Sequence, residues 1–347
     1  MTTLTLLVLV VVFALIFEFV NGFHDAANAI ATVVSTGVLS PRAAVLMAAT
    51  LNVLGAFLGT AVASTIGKDL LDPTSVSQQL VLSGLIAAIS WNVLTWYFGI
   101  PSSSSHALVG GLVGGGLASL GPDSIQATGI QKVLIALVAS PLCGFFGALV
   151  LMIGSLWVVR RWRASVVNRV FRRAQLLSAS FVALSHGHND AQKALGVITM
   201  ALVAYRASSP EIDPTYVFAF PAVGGGDFSV PGWTVVTCAL TMGLGTAAGG
   251  WRIVHTMGSR IFKLRPIHGF CAESGAALVI GGASILGLPV STTHCITSSI
   301  MGAGATTRLS AVSWGVTRRI LWAWFLTIPA CAALGALAYE ALLGAGF

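Results

Sequence analysis

Charge is what this sequence has least of. Only 8% of its 347 residues are Asp, Glu, Lys or Arg, and eleven are acids, against ~25% charged residues in a soluble domain. That scarcity excludes a fold that presents a solvated polar shell. Paired cysteines are missing too. Cys143, Cys238, Cys271, Cys295 and Cys331 are scattered through apolar surroundings without a CxxC, so neither a zinc motif nor a disulfide framework is expected, and they read as small buried hydrophobes. No acid interrupts the segment holding Arg160, Arg161, Arg163, Arg169, Arg172 and Arg173. Such a cluster reads as a cytoplasmic loop rather than a nucleic-acid surface. What is abundant is apolar: 56% hydrophobic residues and a mean hydropathy of +0.89 define an all-α polytopic membrane protein with the lipid bilayer as its partner. The first apolar run has no basic residue before it, and Glu18 and Asn21 stand where a signal peptide would carry small cleavage-site residues, so it is expected to be a retained membrane segment.

The chain is organised around Asn21 to Val34, NGFHDAANAIATVV, which returns as His186 to Thr199, HGHNDAQKALGVIT. Without a gap the copies share Gly22/Gly187, Asp25/Asp190, Ala26/Ala191 and Ala29/Ala194. Each places a carboxylate and amides inside an apolar run, and an ionisable group at membrane depth is costly enough to imply function. Two such sites, half a chain apart, imply transport. A second pair follows in the same order: Pro101, Ser103, Ser104, Ser105 and His106 match Pro289, Ser291, Thr292, Thr293 and His294. The pattern of apolar run, hydroxyl cluster and short glycine-rich run reads as a re-entrant hairpin whose tip is buried in protein.

These landmarks predict a first repeat over 1–158, a basic cytoplasmic linker over 159–175 and a second repeat over 176–347. The excess length of the second repeat falls in 206–232, rich in Pro, Gly and acids, and is expected to be an external loop. Each half should make three full crossings plus a hairpin, with the first crossing interrupted at its polar motif. An odd count inverts one half relative to the other. Both termini and the 206–232 loop are then outside, and Arg252, Arg260, Lys263, Arg265, Arg318 and Arg319 inside, in accord with the positive-inside bias.

Six of the eleven acids fall in predicted loops, leaving Glu18, Asp25, Asp190, Glu273 and Glu340. Asp25 and Asp190, related by the repeat, are the candidate cation or proton sites. Asp190 can also pair with Lys193, three residues on. Glu273 is a candidate coupling group, while Glu18 and Glu340 admit an interfacial reading. Asn28 is the repeat partner of Lys193, and His24 of Asn189; amide oxygens suit Na⁺ and carboxylates take a proton, so residue type leaves the ion open. The two hydroxyl clusters precede helices, whose N-termini offer unpaired N–H groups to a tetrahedral oxyanion. Simple N-capping is the plainer alternative. His186 and His188 lack a third ligand at fixed spacing and make a weak metal motif; His106 and His294 read as hydrogen-bonded supports of the hairpins.

Together, Asn21 to Asn28, His186 to Lys193, Trp91 to Trp96 (WNVLTW), Gly99 to His106 (GIPSSSSH), Gly249 to Ile253 (GGWRI), Gly269 to Glu273 (GFCAE) and Gly287 to His294 (GLPVSTTH) resemble the inorganic phosphate transporter (Pit) family over nearly the whole chain. The resemblance implies phosphate uptake coupled to H⁺ or Na⁺, no enzymatic activity and no cofactor, two inverted repeats with two re-entrant hairpins, and a homodimer. Carried over, the phosphate site would comprise Ser103, Ser104, Ser105, Ser291, Thr292 and Thr293 with Asp25, Asn28, Asp190 and Lys193. The coupling-ion site would comprise His24, Asp25, Asn28, Asn189, Asp190 and Glu273, with Na⁺ at Asp25 and Asp190 if Na⁺ is the ion. Many members, Na⁺-coupled ones in particular, have Asn where this chain has His24, which favours protons. The compact linker resembles bacterial members and implies the bacterial inner membrane. Phosphate could enter free or as a neutral metal-phosphate complex. Sulfate or another oxyanion is the competing cargo, and an intramembrane hydrolase using Ser105 and His106 is the reading from another class.

Overall fold

The computed structural model describes residues 2–208 and 228–347, and twelve α-helices account for most of them. The first six are α1 (Thr3–Ser35), α2 (Pro41–Gly55), α3 (Ala61–Lys68), α4 (Gln78–Tyr97), α5 (Ser104–Leu120) and α6 (Ala127–Val159). The last six repeat that order: α7 (Ala164–Ser208), α8 (Gly232–Ala248), α9 (Trp251–His255), α10 (Pro266–Ile285), α11 (Thr292–Ala305) and α12 (Trp314–Gly344).

Both polar motifs lie inside unbroken helix, contrary to the expected interruptions. Helices α1 and α7 run for 33 and 45 residues straight through them. The interruptions fall instead in the second crossing of each half, at Ala56–Thr60 between α2 and α3 and at Gly249–Gly250 between α8 and α9, where a π-helical turn follows at Thr256–Arg260. The basic segment 159–175 is largely helical: α6 ends at Val159 and α7 begins at Ala164. Of the external segment 206–232, residues 209–227 lie outside the described residues.

Among the described residues four helices, α1, α4, α6 and α12, are long and apolar enough to cross a bilayer. The expected crossing in α7 is absent from that set because of its polar motif. Nearly every residue from Ser185 to Ala204 is buried by neighbouring helices, so this stretch need not be apolar to be enclosed. Helices α6 and α12 carry the outward apolar rows, Ile135, Val138, Phe146, Val150, Phe325 and Leu337 among them.

Helix pairing is crosswise. Motif helix α1 packs on α8, and motif helix α7 on α2; α5 packs on α12, and α11 on α6. Close approach requires glycine at two of these crossings. A Cβ on Gly187 would stand 2.3 Å from the Asn52 carbonyl oxygen, and one on Gly22 2.5 Å from that of Met242. Helices α4 and α5 form one hairpin, α10 and α11 the other. Both turns start from a glycine with positive φ, Gly99 (64°) and Gly287 (68°), beyond the helix end. The Ile100 amide donates to the Thr95 carbonyl and the Leu288 amide to the Ala283 carbonyl, each at 2.9 Å, satisfying carbonyls that a helix terminus leaves open. Pro101 and Pro289 follow, and helix resumes at Ser104 and Thr292.

Candidate functional site

The two hairpin turns bring the N-termini of α5 and α11 against the middles of α1 and α7. Ser103 Oγ accepts the His106 amide at 3.2 Å and Ser291 Oγ accepts the His294 amide at 3.1 Å, so these two hydroxyls are helix caps. The plainer alternative is the observed one at these positions. Ser105 is also committed, donating to the Val290 carbonyl of the opposite hairpin at 3.1 Å. The hydroxyls that reach the cluster are those of Ser104, Thr292 and Thr293.

Asp25 is gripped from both halves: Ser104 Oγ donates to Oδ2 at 2.8 Å, and Thr293 Oγ1 to Oδ1 at 3.1 Å. His24 Nδ1 also lies 2.7 Å from Oδ1, and its Nε2 is tied to Thr95 at 3.2 Å and Ser102 at 3.4 Å. Asp190 faces Lys193 Nζ at 2.8 Å, His186 Nε2 at 3.2 Å and Thr292 Oγ1 at 3.4 Å. The same Lys193 ammonium donates to Ser104 Oγ at 2.8 Å, joining the two carboxylate systems. Asn28 Nδ2 donates to Thr292 and Thr293 at 3.1 and 3.0 Å. Asp25, Asp190 and His186 offer ligand atoms that all lie within 4.8 Å of one another. All of these side chains are at most 5% exposed, so the cluster is closed to solvent.

Two carboxylates against one ammonium leave the cluster net negative unless a histidine is protonated. Three of its oxygens, Asn28 Oδ1, Asn189 Oδ1 and Asp190 Oδ1, are buried without a hydrogen-bond partner. A buried acceptor left unmet costs ~1–3 kcal/mol, and a cation answers that demand. Asn189 Nδ2 is turned away, donating to Ser284 Oγ at 2.9 Å.

Several expectations are redistributed. Glu273 is not in this cluster: Thr32 donates to its Oε1 at 2.5 Å, Gln175 to the same oxygen at 2.9 Å and Ser178 to Oε2 at 2.5 Å. Thr32 stands seven residues beyond Asp25, ~10 Å along α1. Glu18 is wholly buried, which overturns its interfacial reading, while Glu340 is exposed. His106 and His294 are not hydrogen-bonded supports. Their ring nitrogens have no hydrogen-bond partner, and the rings pack on each other with centroids 4.8 Å apart, His294 stacking at 3.8 Å on Trp324. Ser105 and His106 therefore form no nucleophile-base pair. His186, by sequence only part of a weak metal motif, stands beside Asp190; the i,i+4 spacing, read on a continuous helix, is the signal for this pair.

A bundle of helices with apolar outer surfaces around a buried, charged cluster defines a membrane transporter. The chain belongs to the phosphate transporter family, whose pattern matches residues 21–335. It is 49% identical to a probable low-affinity inorganic phosphate transporter of Rhizobium meliloti, over 97% of this chain and 96% of that protein. It is 43% identical to one of Bacillus subtilis, over 97% of each. A solved structure titled "The sodium-dependent phosphate transporter" superposes with a TM-score of 0.84 at 26% identity, covering 98% of this chain and 99% of the other. The family is one of transporters rather than enzymes.

Proposed function

We propose that the chain is a secondary symporter of the bacterial plasma membrane, importing inorganic phosphate with H⁺ or Na⁺ by alternating access. One observation carries the reading: Asp25 and Asp190 meet in a single buried cluster with Lys193 and with hydroxyls from both hairpins. Ser104, Thr292 and Thr293, with the first-turn amides of α5 and α11, supply neutral donors for a tetrahedral anion. Lys193 supplies the fixed positive charge. Because two carboxylates already outweigh that charge, phosphate cannot enter alone without burying uncompensated negative charge, which costs several kcal/mol. A cation must come with it, as a coupling ion at Asp25 and Asp190 or as part of a neutral metal-phosphate complex. Coupling is thus a consequence of charge balance. His24 favours the proton, since an imidazole engaged at both nitrogens offers Na⁺ no oxygen.

The repeats 1–158 and 176–347 are assigned as inverted, with α4–α5 and α10–α11 as re-entrant hairpins. In support, each pairing in one half has its counterpart in the other, α1 with α8 answering α7 with α2, and α5 with α12 answering α11 with α6. Both termini are assigned outside and the assembly as a homodimer. The test is uptake of radiolabelled phosphate into proteoliposomes under an imposed pH or Na⁺ gradient. Gradient-dependent accumulation is expected. Phosphate-ester hydrolysis without flux, or sulfate accumulation in its place, would overturn the reading.

A further inference from the structure

Along α1 the buried polar residues Glu18, Asn21, Asp25, Asn28 and Thr32 are spaced by three and four residues, which lines them up on one helix face. Three of the five are accounted for by function or packing: Asp25 and Asn28 belong to the central cluster, and Thr32 holds Glu273. Glu18, at the other end of the stripe, is not. It is 0% exposed, and neither carboxylate oxygen has a hydrogen-bond partner. Asn21, one turn along and also 0% exposed, has an unpartnered Oδ1 and an unpartnered Nδ2. Four polar atoms left unsatisfied together inside a protein are rare enough to require an explanation.

The geometry points to Glu18 as a proton-binding site of the transport cycle, distinct from the central cluster and neighboured by Asn21. The inference rests on the symport reading. A bare carboxylate there would be a buried charge with no ion-pair partner in contact and only the Asn21 amide beside it, which proteins avoid by neutralising the group. The facing groups decide which cation neutralises it. From α7, Lys193 and Asp190 act on Glu18 electrostatically, and from α8, Cys238 does; Asp25 does so from α1 itself. The sole ionisable side chain of α4, Tyr97, lies at its C-terminal end. Na⁺ would need a shell of oxygens, whereas Glu18 has a soft thiol and an ammonium that repels a metal ion among the groups acting on it. A proton needs one oxygen. Glu18 forms an O–H bond with a proton taken from the water on the face to which the core opens. That bond breaks, and the proton returns to water, when the core has opened to the other face.

The test measures proton and phosphate fluxes together in proteoliposomes, with a pH-reporting dye and radiolabelled phosphate, for the wild type, Glu18→Gln and Glu18→Asp. The wild type is expected to move protons with phosphate, Glu18→Gln to move a proton fewer per phosphate, and Glu18→Asp to keep the wild-type ratio at a lower rate. An unchanged ratio in Glu18→Gln overturns the site while leaving phosphate symport intact. Wild-type uptake driven by Na⁺ without protons overturns the site and keeps the symport. Should Glu18→Gln fail to transport, infrared difference spectra of the purified proteins decide: loss of a protonated-carboxyl carbonyl band supports the site, and an unchanged spectrum overturns it. Absence of phosphate uptake by the wild type would remove the function itself, and the infrared comparison would still report whether Glu18 holds a proton.

Discussion

At the scale of single residues, chemistry follows from which hydroxyl is already spoken for. Ser103 and Ser104 are adjacent, yet one caps α5 and the other bridges Asp25 and Lys193. Ser104→Ala removes a donor shared by two charged groups and should raise the apparent KM for phosphate about tenfold, equivalent to ~1.4 kcal/mol. Ser103→Ala should cost ~1 kcal/mol of stability with little change in KM; detergent melting curves beside uptake kinetics separate the two. Asp25→Asn and Asp190→Asn should each abolish gradient-driven uptake while the protein still reaches the membrane, checked by immunoblot and flux. Near-normal transport in either variant would remove the cation assignment. The aspartates were legible because the sequence repeats them. The division of labour among the serines was not, since residue type says nothing about which hydroxyl a helix terminus takes first. His186 stayed hidden because its relation to Asp190 exists only if the motif is helical.

Among elements, the hairpins could be read from sequence because Gly-x-Pro followed by hydroxyls is a local signal. The helix breaks could not. A polar motif suggests an interruption in a membrane segment, but neighbouring helices supply partners for the side chains of α1 and α7, so their backbones keep the helical ladder. The breaks moved to Ala56–Thr60 and Gly249–Gly250, beside Gly55 and Gly250, where backbones crowd. A Cβ on Gly55 would meet the Leu184 carbonyl oxygen at 2.3 Å, and one on Gly250 would meet that of Phe23 at 2.2 Å. Gly55→Ala should therefore push α2 from α7 and destabilise the protein by ~1–3 kcal/mol, read as a lower melting temperature. Gly147→Ala, where a Cβ meets nothing within 4 Å, should be neutral or slightly stabilising and serves as the control.

For the molecule as a whole, the two halves are alike in order but not in chemistry. In the register that aligns Asp25 with Asp190, Gln175 corresponds to Val10, Ser178 to Phe13 and Val197 to Thr32; the hairpin register sets Glu273 against Leu85. Val10, Phe13, Leu85 and Val197 share one apolar core, whereas Thr32, Gln175, Ser178 and Glu273 form a hydrogen-bonded nest. Only one half holds a carboxylate there, so Glu273→Gln should weaken the apparent affinity for the coupling cation more than that for phosphate, measured by cation titration of uptake. The orientation is checked on exposed positions: an impermeant thiol reagent should label Ser75→Cys from outside and Arg169→Cys only after the membrane is opened. Crosswise pairing was not legible, because periodicity reports which face a helix buries and not which distant helix covers it.

That crosswise pairing also sets a timetable for synthesis. Asp25 leaves the ribosome 165 positions ahead of Asp190, and at ~5–20 residues per second the nascent first half must wait on the order of ten seconds for the lysine and histidine that complete its neighbourhood, and longer for the threonines. A newborn α1, carrying two acids and no counter-charge, is a poor tenant of lipid alone. The insertion machinery must shelter it until α7 and α8 arrive, and a stop codon placed in the arginine segment should yield a fragment that quality-control proteases destroy.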